Sequence, residues 1–73
     1  MNTTRTERLI NLGAKIKEIR LEKGWSQTEL AYRIDKDQQS IQRLEKGKVN
    51  PTYIYLLDLA NGLEVSITDL VSI

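Results

Sequence analysis

The chain has 73 residues, of which 40% are hydrophobic, so it can form one small domain with a thin core. It contains no cysteine and no histidine, which excludes disulfides and thiolate metal sites and removes the commonest general base. No apolar run approaches the roughly 20 residues of a membrane span, and the polar N-terminus lacks a signal-peptide core. We therefore expect a cytoplasmic protein that needs no metal or cofactor and is not an enzyme.

The charges are unevenly distributed along the chain, although the net charge is only +1. Residues 1–48 hold all 11 lysines and arginines together with 7 acids, a balance of +4. Residues 49–73 hold three acids and no base, a balance of −3. Such asymmetry indicates a basic half that binds a partner and a second half with another role, although chance can also produce it in a short chain.

The first predicted helix begins at Glu7, after a polar and uncapped stretch that we expect to be a flexible arm over residues 1–6. Apolar residues then recur at helical spacing and form one stripe, which consists of Leu9, Leu12, Ile16 and Ile19. Lys23 followed by Gly24 is typical of a helix C-terminus, where a cation suits the last turn and glycine suits the position beyond it. Residues 7–73 are expected to form a single domain.

The stretch WSQTEL predicts the start of a second helix. Ser26 and Glu29 have the spacing of a capping box, in which each side chain satisfies a free backbone amide of the first turn. Trp25 and Leu30 have the spacing of a hydrophobic staple across the same turn. The second helix is expected to span residues 27–34.

The stretch DQQSIQRLEKGK predicts a third helix with one apolar and one polar face. In the three-residue break before it, Asp35 can adopt the left-handed conformation of a tight turn, and Asp37 can cap the next helix. This helix is expected to run from Gln38 to about Lys46, with Gly47 beyond its end. Ile41 and Leu44 point inward, and the opposite face carries Gln38, Gln39, Gln42, Arg43 and Lys46.

The dipeptide Pro51–Thr52 is typical of a helix start and predicts a fourth helix. Its apolar stripe is expected to consist of Tyr53, Leu56, Leu57, Ala60 and Leu63. Ile54 and Tyr55 fall outside that stripe, so we expect them to form an apolar surface patch. Ser66 and Asp69 have capping spacing before a short fifth helix.

Two short helices joined by a three-residue turn, the second with a polar outer face, form a helix-turn-helix pattern at about residues 26–46. Residues 12–70 resemble the family of lambdoid phage repressors and Cro proteins, which are XRE-like DNA-binding proteins. The resemblance is carried, in this order, by IKEIR with Gly24, SQTELA, QQSIQRLEKG, Pro51 and Ala60. It implies an all-α fold, a compact five-helix bundle whose second helix crosses the DNA backbone and whose third helix enters the major groove.

The resemblance also implies roles for individual residues. Base-reading positions are Gln38, Gln39, Ser40 and Arg43, to which we add Gln42 from the same polar face. Gln27 is implied to touch a phosphate or to support a base-reading residue, and Lys46 and Lys48 to touch phosphates. Arg20 and Glu45 match positions that form an ion pair across the fold. The chemistry agrees, since glutamine can pair with adenine and arginine with guanine in the major groove.

Simpler interpretations of the same residues stay open. The glutamines of helix three can form a solvated face, and Lys46 and Lys48 can be ordinary surface cations. Trp25 can stack on a base instead of stapling the second helix. The chain also departs from the family at Asp35, where relatives have glycine, and at Lys36, where they have a small apolar residue. These departures leave the tilt of helix three open.

The expected function is a sequence-specific transcription regulator, acting as a repressor, that binds double-stranded DNA as a homodimer on an inverted repeat. The dimer candidates are Ile67, Val71 and Ile73, although Ile67 and Val71 can instead only close the core. One alternative is a controller of a restriction–modification operon. Another is an antitoxin that binds a toxin partner with the same fold, and a third is a module for protein contact alone.

Overall fold

The computed structural model describes residues 4–72, and within them the all-α prediction is confirmed. Five helices follow one another along the chain: α1 (Arg5–Glu22), α2 (Gln27–Arg33), α3 (Gln38–Glu45), α4 (Tyr53–Gly62) and α5 (Ile67–Val71). Each begins at a residue whose side-chain oxygen accepts a hydrogen bond from the amide three residues later. These capping residues are Thr4, Ser26, Asp37, Thr52 and Ser66. No helix in this part of the chain is both long and apolar enough to cross a membrane.

Helix α1 begins earlier in the chain than predicted. A flexible arm over residues 1–6 is wrong for residues 4–6, because Thr4 caps a helix that already begins at Arg5. The Thr4 hydroxyl accepts from the Glu7 amide at 3.1 Å and donates to the Glu7 carboxylate at 2.9 Å. This Thr-x-x-Glu spacing is present in the sequence and is a helix-start signal in its own right. Residues 1–3 lie outside the described residues.

The core is formed by buried residues from all five helices and from the ends of α2 and α4. Its buried members are Ile16, Ile19, Leu30, Ala31, Ile34, Ile41, Leu44, Leu59, Ala60, Leu63 and Leu70. Helix α3 packs against both α1 and α2, while α5 packs against α1 and α4. One face of α3 is therefore supported from two sides, and its orientation depends on both contacts.

A glycine allows α1 to approach α3 closely. A Cβ atom added to Gly13 would lie 2.5 Å from the backbone oxygen of Leu44 and 2.6 Å from that of Glu45. Backbone oxygens at the end of a helix cannot move aside without disturbing that helix, so a larger residue would push the two helices apart. The short distance between α1 and the C-terminal end of α3 brings Arg20 within reach of Glu45.

The predicted apolar face of α4 is rotated from the observed one. Tyr53 was expected in the core but its exposed fraction is 66%, whereas Leu59, which the predicted stripe omitted, is fully buried. Leu56 of the predicted stripe is partly buried and packs against the core, and so does Tyr55, which the stripe omitted. Because α4 is apolar on nearly every side, its sequence pattern gives the direction of the buried face only weakly. The exposed apolar pair is therefore Tyr53 and Ile54, not Ile54 and Tyr55.

Tyr55 packs beneath the turn that connects α2 and α3. The Lys36 ammonium lies 4.9 Å from the centre of the Tyr55 ring, within the range of a cation–π interaction. The Tyr55 hydroxyl oxygen is buried and has no hydrogen-bond partner within residues 4–72. Burial raises the pKa of Tyr55, and the negative charge of Asp37 raises it further.

We predict that Tyr55→Phe makes the protein more resistant to alkaline unfolding. A raised pKa in the folded state stabilises the protein below the normal tyrosine pKa of about 10, and this contribution is lost as pH rises through the folded-state pKa. The variant lacks the titrating group and keeps the ring beneath Lys36. Urea unfolding at pH 8 to 11 should show wild type losing stability relative to the variant above about pH 10.

The exposed Tyr53 provides the matched control for this experiment. Tyr53→Phe removes a hydroxyl from the same helix at a site that is mostly in solvent. Its unfolding free energy should follow that of wild type at every pH. Equal alkaline profiles for wild type and Tyr55→Phe would contradict the burial of the Tyr55 hydroxyl.

Candidate nucleic-acid interface

The turn between α2 and α3 has the predicted geometry. Asp35 adopts a left-handed backbone with φ of 58°, and the Lys36 amide donates to the Ala31 carbonyl at 2.9 Å. Asp37 then accepts from the Ser40 amide at 2.7 Å and starts α3. Asparagine and aspartate are the residues that tolerate the left-handed region best after glycine, so Asp35 can replace a glycine here.

Asp37 remains ionised over a wide pH range at the N-terminus of α3. Hydrogen bonds from the hydroxyl and the amide of Ser40 lower the pKa of Asp37, and the nearby Lys36 lowers it slightly more. A negative charge at this end of a helix is favourable because the free amides carry a partial positive charge. The Ser40 amide is therefore engaged in capping α3.

Helix α3 separates its buried and exposed side chains clearly. Ile41, Leu44 and Glu45 are buried on the side that faces α1 and α2. The opposite side is polar, with Gln39, Gln42 and Arg43 exposed and Gln38 and Ser40 partly buried. Lys46 and Lys48 follow directly and are also exposed. The predicted base-reading and phosphate-contacting residues of this helix thus lie along one side or at its end.

A buried ion pair connects α1 to the end of α3. The Nε of Arg20 donates to Oε2 of Glu45 at 2.7 Å, and an amino group of Arg20 donates to Oε1 of Glu45 at 3.0 Å. Arg20 also donates to the Trp25 carbonyl at 2.7 Å. The exposed fractions of the two residues are only 6% and 9%. The predicted pair is therefore bidentate, and the guanidinium also connects to the loop before α2.

Two glutamines extend this ion pair to the start of α3. The Gln27 amide nitrogen donates to Oε1 of Glu45 at 3.0 Å. The Gln38 amide nitrogen in turn donates to the Gln27 amide oxygen at 2.7 Å. Of the two roles predicted for Gln27, support of a base-reading residue is the one that these contacts favour. The link between Gln27 and Glu45 was not predicted, because a separation of 18 residues leaves no local sequence signal.

Trp25 lies against the protein and is covered by a cation. The Arg33 guanidinium stands 3.8 Å from the centre of the Trp25 ring, and the partly buried ring packs against the core. Arg33 also donates to the Glu29 carboxylate at 2.9 Å. Because Glu29 pairs with Arg33, the capping box is formed on one side only, through the Ser26 hydroxyl and the Glu29 amide. These contacts favour the packing role of Trp25 over stacking on a base.

The three dimer candidates differ in exposure. Ile67 is partly buried and packs against the core, so it closes the domain. The exposed fraction of Val71 is 45%, which leaves its side chain free to meet another surface. Ile73 lies outside the described residues. Within residues 4–72, no three acidic side chains come together as a group that could hold a metal ion.

Comparisons of this chain with known proteins agree on one protein family. A helix-turn-helix family model matches residues 16–70, which is more than half of the chain. An uncharacterized HTH-type transcriptional regulator of Sinorhizobium fredii, y4dJ, is 41% identical over 61 residues, which cover 84% of this chain and 79% of that protein.

Solved structures of restriction–modification controller proteins are similar to this chain over most of its length. Controller protein C.AhdI from Aeromonas hydrophila superposes with a TM-score of 0.82 at 31% identity, covering 85% of this chain and 94% of that chain. Controller protein C.Esp1396I superposes with a TM-score of 0.80 at 35% identity, covering 89% and 87% of the two chains.

We predict that Glu45→Ala lowers the free energy of unfolding by about 3–5 kcal/mol, because it leaves the Arg20 guanidinium buried without its carboxylate. Thermal or urea unfolding of the purified variant measures this loss. Glu22→Ala removes an exposed acid from the end of α1 and is the control. A loss for Glu45→Ala no larger than that of the control would show that the pair contributes little to folding.

Proposed function

The chain belongs to the helix-turn-helix family, and on that basis we propose that it is a sequence-specific DNA-binding transcription regulator. The observation that carries this proposal is the polar side of α3. This helix is anchored by the buried Arg20–Glu45 ion pair, and hydrogen bonds through Gln27 connect that pair to Gln38. A helix of this size fits the major groove of DNA, where each base pair presents its own pattern of donors and acceptors. The function is recognition, and none of the proposed roles requires a catalytic group.

Within this proposal, the residues of α3 divide into base readers and phosphate binders. Gln38, Gln39 and Arg43, with Gln42 and Ser40 beside them, face the base edges. A guanidinium can make two hydrogen bonds to guanine, and a glutamine amide can make two to adenine. Lys46 and Lys48 lie beyond the helix end, where they reach the DNA backbone and add affinity that does not depend on sequence.

We further propose that the regulator acts as a homodimeric repressor on an inverted repeat. Two-fold pairing would place two copies of α3 about one helical turn of DNA apart, at half-sites with centres about 10 bp apart. Val71 is the described candidate for the contact, and Ile73 stays a candidate from the sequence. The similarity to restriction–modification controllers at 31% and 35% identity favours a controller of such an operon as the more specific function.

An antitoxin is the second candidate function. The observation that favours it is the exposed apolar pair Tyr53 and Ile54 at the start of α4, whose exposed fractions are 66% and 63%. Exposed apolar side chains next to each other are typical of protein-binding surfaces. A helix-turn-helix used for protein contact alone is less consistent with α3, since its outer side lacks the aromatic and apolar anchors of protein interfaces.

We predict that selection of bound sequences from a random duplex library, at a fixed near-physiological salt concentration, recovers an inverted repeat. In the same assay Arg43→Ala should relax one base position per half-site, corresponding to about 1–3 kcal/mol of lost discrimination. Lys46→Ala should weaken all sequences equally and reduce the slope of log affinity against log salt by about one unit for each phosphate contact removed.

The two variants are controls for each other, because both remove one exposed cation from the same region. A uniform loss for Arg43→Ala, with every position still read, would make Arg43 a phosphate contact. Recovery of no motif with wild-type protein would contradict sequence-specific binding. The antitoxin function would then be tested first, by asking whether Tyr53→Ser combined with Ile54→Ser abolishes capture of a toxin encoded beside the gene.

We also predict that sedimentation equilibrium at high micromolar concentration shows a dimer, and that Val71→Glu shifts it to monomer. A carboxylate at an apolar contact cannot be buried without a partner, so it should oppose pairing. Thr68→Glu places the same charge on an exposed position of α5 and is the control. Wild-type protein that is monomeric both free and on DNA would contradict the dimer.

A further inference from the structure

Asp37 places a carboxylate beside the side chains that are proposed to read DNA. Its Oδ1 accepts from the Ser40 amide at 2.7 Å, so the carboxylate lies across the N-terminal end of α3, and the residue is exposed. We propose that Asp37 caps α3 and also reads a base, by accepting a hydrogen bond from the amino group of a cytosine. This proposal rests on the proposed DNA-binding function and deepens it, because it adds one base identity to each half-site.

Asp37 lies at the end of α3 that the proposed DNA recognition uses. In helix-turn-helix proteins the N-terminal residues of the recognition helix are those that contact base edges in the major groove. Asp37 immediately precedes Gln38 and Gln39, two of the proposed base readers. Its side chain folds over the first turn of the helix toward the Ser40 amide and therefore stays at this end. A groove that admits the two glutamines brings the carboxylate close to the bases as well.

The capping contact leaves part of the carboxylate unused. An ionised carboxylate has two oxygens with about four acceptor sites. The amide and the hydroxyl of Ser40 occupy two of them and lower the pKa of Asp37, so the group stays ionised near neutral pH. No salt bridge between a cation and Asp37 is present within residues 4–72. Two acceptor sites, together with the negative charge, thus remain for a donor on DNA.

A negative charge is not needed for the cap itself. Asparagine, aspartate and serine cap helices about equally well. The other four helices within residues 4–72 begin at uncharged residues, which are Thr4, Ser26, Thr52 and Ser66. Close to DNA a carboxylate is repelled by the phosphates, so its charge weakens binding unless a donor of the DNA pairs with it. A donor in the operator would give the charge at the start of the recognition helix a function.

Cytosine is the base whose major-groove edge best suits a carboxylate. It presents its N4 amino group there, whereas the polar atoms that guanine and thymine present are acceptors only. Adenine presents its N6 amino group next to the N7 acceptor, and N7 repels a carboxylate oxygen. Aspartate and glutamate accordingly accept from cytosine N4 in protein–DNA complexes.

The test is selection from the random duplex library with wild type and Asp37→Asn. Asparagine keeps the size and the capping oxygen, so the group left for DNA is its amide nitrogen, which is a donor. We expect an about tenfold weaker preference for cytosine at one position per half-site, whereas the position read by Arg43 stays unchanged. The variant should also bind a random-sequence duplex about threefold more tightly at about 0.1 M salt, because a like charge near the phosphates is gone.

Asp35→Asn is the matched control for the loss of charge. Asp35 is exposed in the same turn, and asparagine tolerates its left-handed backbone, whose φ is 58°. Its side chain does not cap α3, so this variant should leave every position of the motif unchanged. Thermal unfolding checks that both variants are folded. If Asp37→Asn fails to fold, Asp37→Ser keeps a capping oxygen without the charge and should show the same loss of cytosine preference.

A modified operator tests the hydrogen bond directly. N4-methylcytosine still pairs with guanine, but a methyl group replaces the amino hydrogen that faces the major groove. With this base at the selected cytosine position, wild type should bind the operator about tenfold more weakly, as measured by fluorescence anisotropy. Asp37→Asn should lose much less affinity between the two duplexes. The difference between the two losses isolates the contact between Asp37 and the amino group.

The outcomes separate the base-reading role of Asp37 from the proposed function. An unchanged motif for a folded Asp37→Asn would overturn cytosine reading and leave Asp37 as a cap alone, whether or not its nonspecific affinity rises. A change confined to a position at which wild type selects another base would overturn it as well. Equal losses for wild type and Asp37→Asn on the N4-methylcytosine operator would also overturn it, because such a loss reflects the methyl group alone. A wild-type selection that recovers no motif would overturn the proposed function, and cytosine reading with it.

Discussion

The ion pair between Arg20 and Glu45 is the interaction on which the rest of the structure depends. Burying two charges is unfavourable unless hydrogen bonds satisfy the atoms that lose water. Here Glu45 receives two hydrogen bonds from Arg20 and one from Gln27, and Arg20 also reaches the Trp25 carbonyl. Satisfying the pair thus requires α1, the loop before α2, and both helices of the helix-turn-helix to be in place together.

As a consequence, the two sides of α3 have different roles. Its inner side carries Ile41, Leu44 and Glu45, and those contacts fix where the helix lies. Its outer side contributes little to the core, so its residues can vary without loss of the fold. A recognition surface needs this arrangement, because side chains held within a small error of their required positions bind without a large loss of entropy.

The parts that the sequence predicted well are those with local causes. Helix starts depend on residues three apart, which is why the caps at Ser26, Asp37 and Ser66 could be predicted. Thr4 and Glu7 have the same spacing, and Thr4 caps α1 in the same way. The buried side of α4 could be predicted only in part, because its pattern is apolar almost all round. Ala60 and Leu63 are buried as predicted, whereas Tyr53 is exposed and Leu59 is buried. The link from Gln27 to Glu45 needs two distant segments to be packed first, and no spacing in the sequence encodes it.

The turn between α2 and α3 shows how a departure from the family can be accommodated. Asp35 accepts a left-handed backbone that is less favourable for aspartate than for glycine. Lys36 lies over the ring of Tyr55, and Asp37 caps α3 while it interacts with Ser40. Helix α4, which is not part of the helix-turn-helix, therefore contacts the turn that sets the tilt of α3. Contacts from outside the helix-turn-helix therefore reach α3 near both of its ends, through the Arg20–Glu45 pair at the C-terminus and through the Lys36–Tyr55 contact in the turn before the N-terminus.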